Sequence, residues 1–322
     1  MVGIPLNEVT KARGLLRDVV ISNPVQFSRT FSNMANNSVY LKPECLQKTG
    51  SHKIRGAYYL LSRLSKEECE KGIATFSAGN WAQGAAYAGS LLGCPVTVVM
   101  PENANPQKIE ATIGYGGEVI QFGYHSTDLF QKAYDLAKER GMKFINPLEN
   151  RELMIGFGSL GLEILEELPD IQGIIAPVGG GGLIGGIASA VKQTRPDVKI
   201  YGVQPKGADA MVRSIKNGVA TEIAKVETIA DGLAIKKPSE FTFQIIQKTV
   251  DNLVLVSENE IKKTMLLLLE RAKLLVEPAG AASLAALIFK RIPELSSRKI
   301  AVILTGGNTD LKLLMEILRI HL

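Results

Sequence analysis

The chain of 322 residues is 46% hydrophobic and 21% charged, which is enough apolar content to bury a full core and excludes a disordered protein. Its net charge of +5 is spread along the sequence without a basic block that interleaves aromatic residues, which argues against nucleic acid as a partner. The N-terminus lacks a signal-peptide pattern, and Cys45, Cys69 and Cys94 are few and far apart, which together predict a cytoplasmic protein with reduced thiols.

The first predicted elements are an amphipathic helix over residues 6–19 and a strand over residues 38–41. Turn residues at 48–51 then precede an apolar pattern that predicts a helix over residues 54–64, with Ser51 accepting a hydrogen bond from a free N–H in its first turn. Lys53 lies at the start of this helix, where a cation opposes the helix dipole. Such a position suits an amine that must be neutral or covalently engaged, and a solvated lysine that follows a cap is the alternative.

From Ser65 onward, strand-like and helix-like segments alternate. Ser65 and Glu68 form a capping-box pattern at the start of a short helix. The strand-like segments lie at residues 73–76, 95–100, 118–122, 143–145, 173–177, 198–204, 253–256 and 299–304, and the helix-like segments at 80–92, 105–113, 126–139, 151–167, 183–192, 258–272, 279–290 and 310–320. A less regular stretch after residue 204 runs to about Lys237. This alternation predicts an α/β fold with mainly parallel sheets that are covered by helices on both faces.

One uncharged run, residues 173–191, is long enough to resemble a membrane span. Pro177 and six glycines interrupt it, so we predict a buried strand, a loop and a helix, and no membrane partner. The chain shows no repeat, no low-complexity segment and no obvious linker, which predicts two intertwined doubly wound domains. We place the large domain at residues 1–71 and 148–322 and the small domain at residues 72–147.

Three loops follow predicted strands and offer backbone N–H groups at helix starts, where anions bind. They are Ser77-Ala78-Gly79-Asn80, Gly179-Gly180-Gly181-Gly182 and Thr305-Gly306-Gly307-Asn308. The second loop matches the spacing of the dinucleotide fingerprint, but Gln204 ends the next strand where an acidic residue is expected, which disfavours nicotinamide and flavin cofactors. A tetraglycine at a helix start suits a single phosphate, with a tight turn that binds nothing as the alternative.

Other chemistries have few residues to use. The chain has three histidines, His52, His125 and His321, so a His/Cys metal site or a Ser-His-Asp triad has little to draw on. The P-loop sequence is absent. A lysine at a helix start, a cradle for one phosphate and neutral polar loops fit pyridoxal 5'-phosphate, which needs a Schiff-base lysine, a phosphate site and a partner for its ring nitrogen.

With these residues the chain resembles the serine/threonine dehydratase (ammonia-lyase) branch of the fold type II pyridoxal phosphate enzymes, whose fold is tryptophan synthase β-like. The resemblance covers residues 6–320 and depends on six motifs in family order. They are Lys-Thr-Gly-Ser-His-Lys-Ile-Arg-Gly-Ala at 48–57, Ser-Ala-Gly-Asn at 77–80, Pro-Val-Gly-Gly-Gly-Gly-Leu at 177–183, Ala-Asp-Gly at 230–232, Glu-Pro-Ala-Gly at 277–280 and Thr-Gly-Gly-Asn at 305–308.

The resemblance implies a role for each predicted site residue. Lys53 carries the cofactor as a Schiff base and then acts as the base at the substrate Cα. The phosphate is held by Gly179, Gly180, Gly181 and Gly182, and the substrate carboxylate by Ser77, Ala78, Gly79 and Asn80. Asn80 also meets the ring hydroxyl, Thr305 meets the ring nitrogen, His52 and Gly232 lie against the two ring faces, and Glu277 lies near the cofactor.

The resemblance also implies the reaction, which is the dehydration and deamination of L-threonine or L-serine to 2-oxobutanoate or pyruvate plus ammonia. A neutral hydroxyl at Thr305 does not hold the ring nitrogen protonated, so elimination is favoured over transamination and racemisation. Two alternatives stay open: β-elimination or β-replacement on another 3-hydroxy amino acid, and a non-catalytic protein that binds the cofactor or an amino acid. Family members are commonly dimers or tetramers, so we expect a homodimer or homotetramer.

Two departures from the family pattern carry predictions. Ala78 occupies the position where serine racemases place a second serine as a base, and an alanine transfers no proton, so little racemase activity is predicted. Gln204 and Ala210 replace the acidic residues with which some members bind a divalent cation, so no metal is predicted at that site.

Other departures fall in the expected pocket. His52 replaces the usual phenylalanine, Trp81 replaces the usual histidine, and Phe157 and Leu148 also differ from the common pattern. Two explanations stay open for these changes. One is compensated packing, and the other is a pocket reshaped to enclose a small or apolar substrate side chain.

Overall fold

The computed structural model describes residues 3–321, which form two sheets surrounded by helices. The strands are β1 (Gln26–Phe27), β2 (Ser38–Pro43), β3 (Ile73–Phe76), β4 (Val96–Met100), β5 (Glu118–Gln121), β6 (Lys143–Ile145), β7 (Gly173–Pro177), β8 (Lys199–Pro205), β9 (Asn252–Val256) and β10 (Lys299–Leu304). The helices are α1 (Leu6–Leu16), α2 (Arg29–Ala35), α3 (Lys53–Ser62), α4 (Lys66–Lys71), α5 (Asn80–Leu92), α6 (Pro106–Gly114), α7 (Ser126–Arg140), α8 (Arg151–Glu167), α9 (Gly182–Thr194), α10 (Ala210–Asn217), α11 (Glu240–Thr249), α12 (Glu258–Leu267), α13 (Pro278–Ile288) and α14 (Leu311–His321). A π-helical turn, Leu268–Ala272, continues α12.

The larger sheet orders its strands β1-β2-β10-β7-β8-β9 within the described residues. All neighbours are parallel except β1, which pairs antiparallel with β2. Alternate residues of the strands point into different cores, as the period of two requires. In β10, Ala301 and Ile303 enter the core that contains α3, α5, α8 and α9, whereas Ile300 and Val302 enter the core that contains α12 and α13.

The smaller sheet orders its strands β5-β4-β3-β6, and every pair in it is parallel. Its strands lie between β2 and β7 in the chain, so this part of the molecule is an insertion into the larger sheet's sequence. The α/β class with mainly parallel sheets is therefore confirmed. The boundaries of the two domains, at residues 71/72 and 147/148, stay a prediction.

Most predicted elements are present with small shifts at their ends, and the uncharged run at 173–191 forms β7, a loop and α9 as predicted. No helix within residues 3–321 is both long and apolar enough to cross a bilayer. The prediction was wrong to omit β1, α2, α10 and α11. The capping box at Ser65 and Glu68 is present, with hydrogen bonds of 3.2 and 3.0 Å.

A buried group of charges fixes α3 against α8 and the turn that follows β2. Arg55 is fully buried and donates to both oxygens of Glu44, at 2.7 and 2.9 Å, and to both oxygens of Glu163, at 2.6 and 2.9 Å. Lys42 adds a contact to Glu163 at 3.4 Å and a hydrogen bond to Glu167 at 2.6 Å. Each buried charge is thus paired and hydrogen-bonded, which is the condition under which buried ions are tolerated. We refer to Lys42, Glu44, Arg55, Glu163 and Glu167 as the anchor network.

Candidate active site

Lys53 is the first residue of α3, as predicted. The N-cap residue is His52, whereas Ser51 accepts a hydrogen bond from the Lys53 N–H at 3.4 Å. Gly84 of α5 lies close, since a Cβ there would be 3.1 Å from the Lys53 Cβ. Burial lowers the pKa of the Lys53 amine to about 8, and the charge of Glu277 opposes this shift. The neutral, nucleophilic form of this amine is therefore available near neutral pH.

His52 is held against the loop that follows β10. Its backbone N–H and its ring Nδ1 lie 3.0 and 3.1 Å from the carbonyl oxygen of Thr305. Because a carbonyl oxygen only accepts, Nδ1 carries the proton and Nε2 is left as an acceptor. Nε2 is buried and has no hydrogen-bond partner in the part of the chain that the structure describes. Burial, and then the charge of Lys53, lower the pKa of His52 well below 6.5, so the ring is neutral.

The tetraglycine loop joins β7 to α9. The N–H groups of Gly179, Gly180, Gly181 and Gly182 donate to no other group within residues 3–321. Gly179 has no room for a side chain, because a Cβ there would lie 2.7 Å from the carbonyl oxygen of Gly232. Gly181 has a φ of +93°, which residues with side chains rarely adopt. Free N–H groups at a helix start form a site for an anion such as a phosphate.

The loop Ser77–Asn80 leads from β3 into α5 and meets a buried carboxyl group. The hydroxyl of Ser77 accepts a hydrogen bond from the Gly79 N–H at 3.1 Å. The Asn80 Nδ2 donates to Glu277 Oε1 at 2.7 Å, and the Asn80 Oδ1 accepts from Asn308 Nδ2 at 2.8 Å. The loops after β3 and β10 are thereby joined to the start of α13, where Glu277 is the N-cap residue.

Glu277 is buried, and burial raises its pKa to about 7. The positive charge of Lys108 and the hydrogen bond from Asn80 act in the opposite direction. Gly306 packs against this carboxyl group so closely that a Cβ would collide with it. Glu277 is therefore a proton donor or acceptor near pH 7 that is held within the cluster.

Asn308 connects this cluster to the loop before Lys53. Its Nδ2 donates to the carbonyl oxygen of Thr49 at 2.9 Å, and the N–H of Gly307 donates to the carbonyl oxygen of Gly50 at 2.9 Å. The hydroxyl of Thr49 is buried without a partner among the described residues. Asn308 was not predicted as a site residue, although its place at the end of the third glycine loop was a signal for one.

The predicted residues are thus brought together from six distant parts of the chain. Gly232 lies in the turn Asp231–Leu233 with its carbonyl oxygen beside the tetraglycine loop, and Ala78 is exposed in the loop before α5. Lys108 of α6 was missed entirely, yet its Nζ would be 3.5 Å from a Cβ at Gly79.

Two of the unusual aromatic residues lie in different surroundings. Phe157 of α8 is buried with its ring centroid 5.1 Å from that of His52 and 5.5 Å from Lys53 Nζ. A Cβ at Gly182 would lie 3.8 Å from the same ring, so Phe157 borders the site. Trp81 is enclosed in the core, and its indole N–H donates to the hydroxyl of Thr75 at 2.8 Å. For Trp81 the structure favours the packing explanation.

Leu148 is partly exposed at 39%, and it lies 3.5 Å from the position of a Cβ at Gly180. It therefore stands at the outer side of the tetraglycine loop. A leucine here adds apolar surface beside the phosphate cradle and no polar group.

At Gln204 and Ala210, where some family members bind a divalent cation, protein groups form hydrogen bonds with one another. Gln204 is buried, donates to the carbonyl oxygen of Val178 at 3.2 Å and accepts from the Val212 N–H at 2.9 Å. Asp209 pairs with Arg213 at 2.8 Å. Within the described residues no group of three His, Cys, Asp or Glu side chains could hold a metal ion.

The residues present fit pyridoxal phosphate. The free N–H groups of the tetraglycine loop suit its phosphate, and the orphaned His52 Nε2 and the half-buried Lys53 amine lie in the same site. A fold with a lysine amine of lowered pKa beside a phosphate cradle defines an enzyme that works through this cofactor. The family described as pyridoxal-phosphate dependent enzyme matches residues 16–306. The chain therefore belongs to the pyridoxal-phosphate dependent enzymes, as predicted.

Its similarity to known proteins extends over nearly the whole chain. It is 44% identical to an L-threonine ammonia-lyase of Geobacter sulfurreducens over 96% of this chain and 77% of that protein. It is 40% identical to an L-threonine ammonia-lyase of Thermotoga maritima over 98% of this chain and 78% of that protein. Among solved structures, maize serine racemase superposes with a TM-score of 0.93 at 34% identity, covering 99% of this chain and 98% of that one. This fold is thus shared by proteins named as lyases and as racemases.

Proposed function

We propose that the protein is a pyridoxal phosphate-dependent ammonia-lyase that converts L-threonine to 2-oxobutanoate and ammonia, and L-serine to pyruvate and ammonia. The observation that carries this proposal is the juxtaposition of the Lys53 amine with the cradle of Gly179 to Gly182 and the loop Ser77–Asn80. The names of the relatives from Geobacter and Thermotoga support the choice of L-threonine.

The bound cofactor supplies an electron-withdrawing ring that makes the substrate Cα proton acidic. Lys53 would hold the cofactor covalently, and its free amine would accept the proton from the substrate Cα. The N–H groups of the tetraglycine loop bind the phosphate, and Ser77, Ala78, Gly79 and Asn80 bind the substrate carboxylate. The net reaction removes the Cα proton and the β-hydroxyl as water, and hydrolysis of the released enamine gives the 2-oxo acid and ammonia.

The remaining residues bias the reaction toward elimination. Thr305 offers the ring nitrogen a neutral hydroxyl, which does not hold that nitrogen protonated. Ala78 carries no group that transfers a proton, so racemisation would lack a second base besides Lys53. Asn80 would meet the ring hydroxyl, Gly232 and His52 would lie against the ring, and Glu277 would hold a proton nearby.

The alternative reaction, β-elimination or β-replacement on another 3-hydroxy amino acid, is favoured by one observation. Phe157 contacts both His52 and Lys53, so an uncommon apolar ring borders the reacting groups. It would enclose a small or apolar side chain more readily than a charged one. A non-catalytic amino-acid-binding protein would keep the same lysine and the same tetraglycine loop, yet it would not convert the amino acid that it binds.

The decisive experiment is an absorbance scan of the purified protein followed by addition of L-threonine and of L-serine. We expect a band at the violet edge of the spectrum that is lost in Lys53→Ala, and 2-oxobutanoate formation by the wild type only. A band without product from either amino acid would overturn the lyase assignment in favour of the other substrates or of a binding protein. Failure to develop a band with added pyridoxal phosphate would overturn the roles given to Lys53 and the cradle.

The same proposal includes the assembly and the setting of the enzyme. We infer domains at residues 1–71 with 148–322 and at residues 72–147, a homodimer or homotetramer, and a cytoplasmic location. Free thiols at Cys45, Cys69 and Cys94 support a reducing compartment. Light scattering of the purified protein measures the assembly directly, and a monomer would contradict it.

A further inference from the structure

Lys108 extends from the first turn of α6 toward the loop that opens α5. Its Nζ lies 3.5 Å, and its Cδ 3.6 Å, from the position that a Cβ on Gly79 would take. Its side chain is 17% exposed, so most of it is enclosed by the protein. The amine therefore stands directly beside the loop Ser77–Asn80.

The charge of Lys108 is poorly matched by the protein. Its one ion-pair partner among the described residues is Asp231, at 3.7 Å, and the Asp231 side chain is 79% exposed. An exposed partner at that distance contributes little. Glu277 is the buried acidic group that feels the charge of Lys108 most, and its carboxyl already accepts a hydrogen bond from Asn80. Within residues 3–321 the Lys108 ammonium group donates no hydrogen bond, so its protons are available to a ligand at this loop.

The position of Lys108 opposes local helix stability. Asn105 caps α6 and Pro106 is its first residue, so Lys108 lies in the first turn, where a cation interacts unfavourably with the helix dipole. The helix is nevertheless fixed in place. Asn105 donates to Asp310 at 3.0 Å, and the Tyr115 hydroxyl donates to the carbonyl oxygen of Lys48 at 3.1 Å. These contacts join the two ends of α6 to the segments that follow β10 and precede α3, which fixes the helix that carries Lys108.

We propose that Lys108 binds the carboxylate of the amino-acid substrate and makes the enzyme specific for amino acids with a free α-carboxylate. The N–H groups of Ala78 and Asn80, which donate to no other group within residues 3–321, orient this carboxylate, and the ammonium group supplies the opposing charge. The weak pair with the exposed Asp231 leaves the ammonium group available to the carboxylate. This inference depends on the proposed function, because the carboxylate site is assigned through it.

The test compares Lys108→Met with Lys108→Arg, and with Lys138→Met as the matched control. Lys138 is an exposed lysine on α7, so its replacement removes one charge from the same part of the molecule. Loss of a charged hydrogen bond predicts a rise in the KM for L-threonine of about ten- to a hundredfold in Lys108→Met, with kcat changed by less than about threefold. Lys108→Arg restores most of the KM, and Lys138→Met leaves it unchanged.

Two further readouts separate carboxylate binding from a general loss of structure. We expect the wild type to have a lower KM for L-threonine than for L-threoninamide. In Lys108→Met the ratio of these two KM values should shrink by about the same factor by which the KM for L-threonine rises. Calorimetric titration of the cofactor-loaded proteins with 3-hydroxybutanoate, which lacks the amine, shows the same weakening without any turnover. Asp231→Asn, which frees the ammonium group, binds 3-hydroxybutanoate as tightly as the wild type or up to about fivefold more tightly.

An unchanged KM in Lys108→Met, or an equal effect on the acid and the amide, would overturn the proposal. An effect confined to a substrate with a second carboxylate, such as 3-hydroxyaspartate, would also overturn it, because Lys108 would then read the side chain. If the wild type releases no 2-oxo acid, the proposed function fails. A calorimetric loss of 3-hydroxybutanoate binding in Lys108→Met would still establish the carboxylate contact independently.

Discussion

Two cations on the same turn of α3 have opposite surroundings. Arg55 is fully buried and bonded to four carboxylate oxygens in the anchor network, which raises its pKa above the ordinary value despite burial. Lys53, two residues earlier, has no carboxylate within hydrogen-bonding distance among the described residues, and burial lowers its pKa to about 8. One position therefore keeps its charge and the other is ready to lose it.

The contrast shows how one helix serves stability and chemistry together. The anchor network satisfies its charges and fixes the helix, so the neighbouring residues can remain unsatisfied. Two groups close to Lys53 in the chain, His52 Nε2 and the Thr49 hydroxyl, are buried without a partner among the described residues, as are Glu258 Oε1, Ser283 Oγ and Thr309 Oγ1 elsewhere. Buried polar groups without partners are costly in free energy, and a protein retains them where a ligand will complete them.

The strongest test of this contrast is Arg55→Met. Removing the guanidinium leaves the buried carboxylates of Glu44 and Glu163 without their main partner, which should lower the free energy of unfolding by about 3–5 kcal/mol. Urea unfolding measures the change, with Lys71→Met, at an exposed pair with Glu67, as a control expected within about 0.5 kcal/mol of the wild type. A loss below about 1 kcal/mol would contradict the anchoring role. If Arg55→Met does not fold, Arg55→Lys should give an intermediate loss.

Glu277→Gln tests the surroundings of Lys53, the second cation of the comparison. The folded pKa of Glu277 is raised to about 7 from 4.5, so the folded state binds the extra proton between these values, and stability contributed by this group falls as the pH rises from 4.5 to 7. In the cofactor-free protein, Glu277→Gln should therefore gain up to about 3 kcal/mol relative to the wild type across that window. Urea unfolding at several pH values measures the gain. Glu270→Gln, at an exposed site, should show none, and equal pH profiles for Glu277→Gln and the wild type would refute the prediction.

The lowered pKa of Lys53 also predicts how the rate of cofactor loading depends on pH. Only the neutral amine attacks the cofactor aldehyde, so the rate of cofactor loading should rise about tenfold per pH unit and level off above about pH 8. Stopped-flow mixing of cofactor-free protein with pyridoxal phosphate gives the rate at each pH, with the absorbance followed at the violet edge of the spectrum. Since the charge of Glu277 raises the pKa of Lys53, Glu277→Gln should move the midpoint to lower pH. A rate that still climbs at pH 10 would mean that the amine is solvated.

The smallest effect is expected for Trp81→Phe. The variant loses one hydrogen bond to Thr75 in the core, which should cost about 1 kcal/mol of stability and leave the KM for L-threonine within about twofold. Phe157→Leu, which removes the ring beside His52 and Lys53, should instead change the KM or the absorbance of the bound cofactor. A tenfold change in KM for Trp81→Phe would restore the pocket role that the sequence left open.

Local signals were sufficient for much of the fold because they agreed with the tertiary structure. The alternation of strands and helices, the Ser65 capping box and the glycine loops at strand ends all act within a few residues. α11 was missed because Phe-Thr-Phe-Gln-Ile-Ile has the aromatic and β-branched composition typical of strands, while packing of its buried face selects the helix. β1 has two residues, and α2 has seven, too few for a periodic pattern.

The site was predictable where a motif carries the chemistry, and less so where a single side chain does. Lys53 and Lys108 share one signal, a cation in the first turn of a helix. Only Lys53 stood within a motif, so only Lys53 was recognised. The neighbour of Lys108 is Gly79, and no spacing in the sequence brings these two residues together. The inward packing of Trp81 likewise depends on Thr75, which belongs to another element.

The last strand of the chain, β10, occupies an interior place in the larger sheet, between β2 and β7. A nascent chain releases β2 and β7 well before Lys299 emerges from the ribosome, and each then presents an unpaired row of backbone groups that invites pairing with other chains. Thr305 and Asn308 follow β10 directly. The insertion of β10 into the sheet therefore also brings these two residues to the candidate active site. A chain that stalls before residue 299 therefore lacks both the interior strand β10 and the loop that carries Thr305 and Asn308.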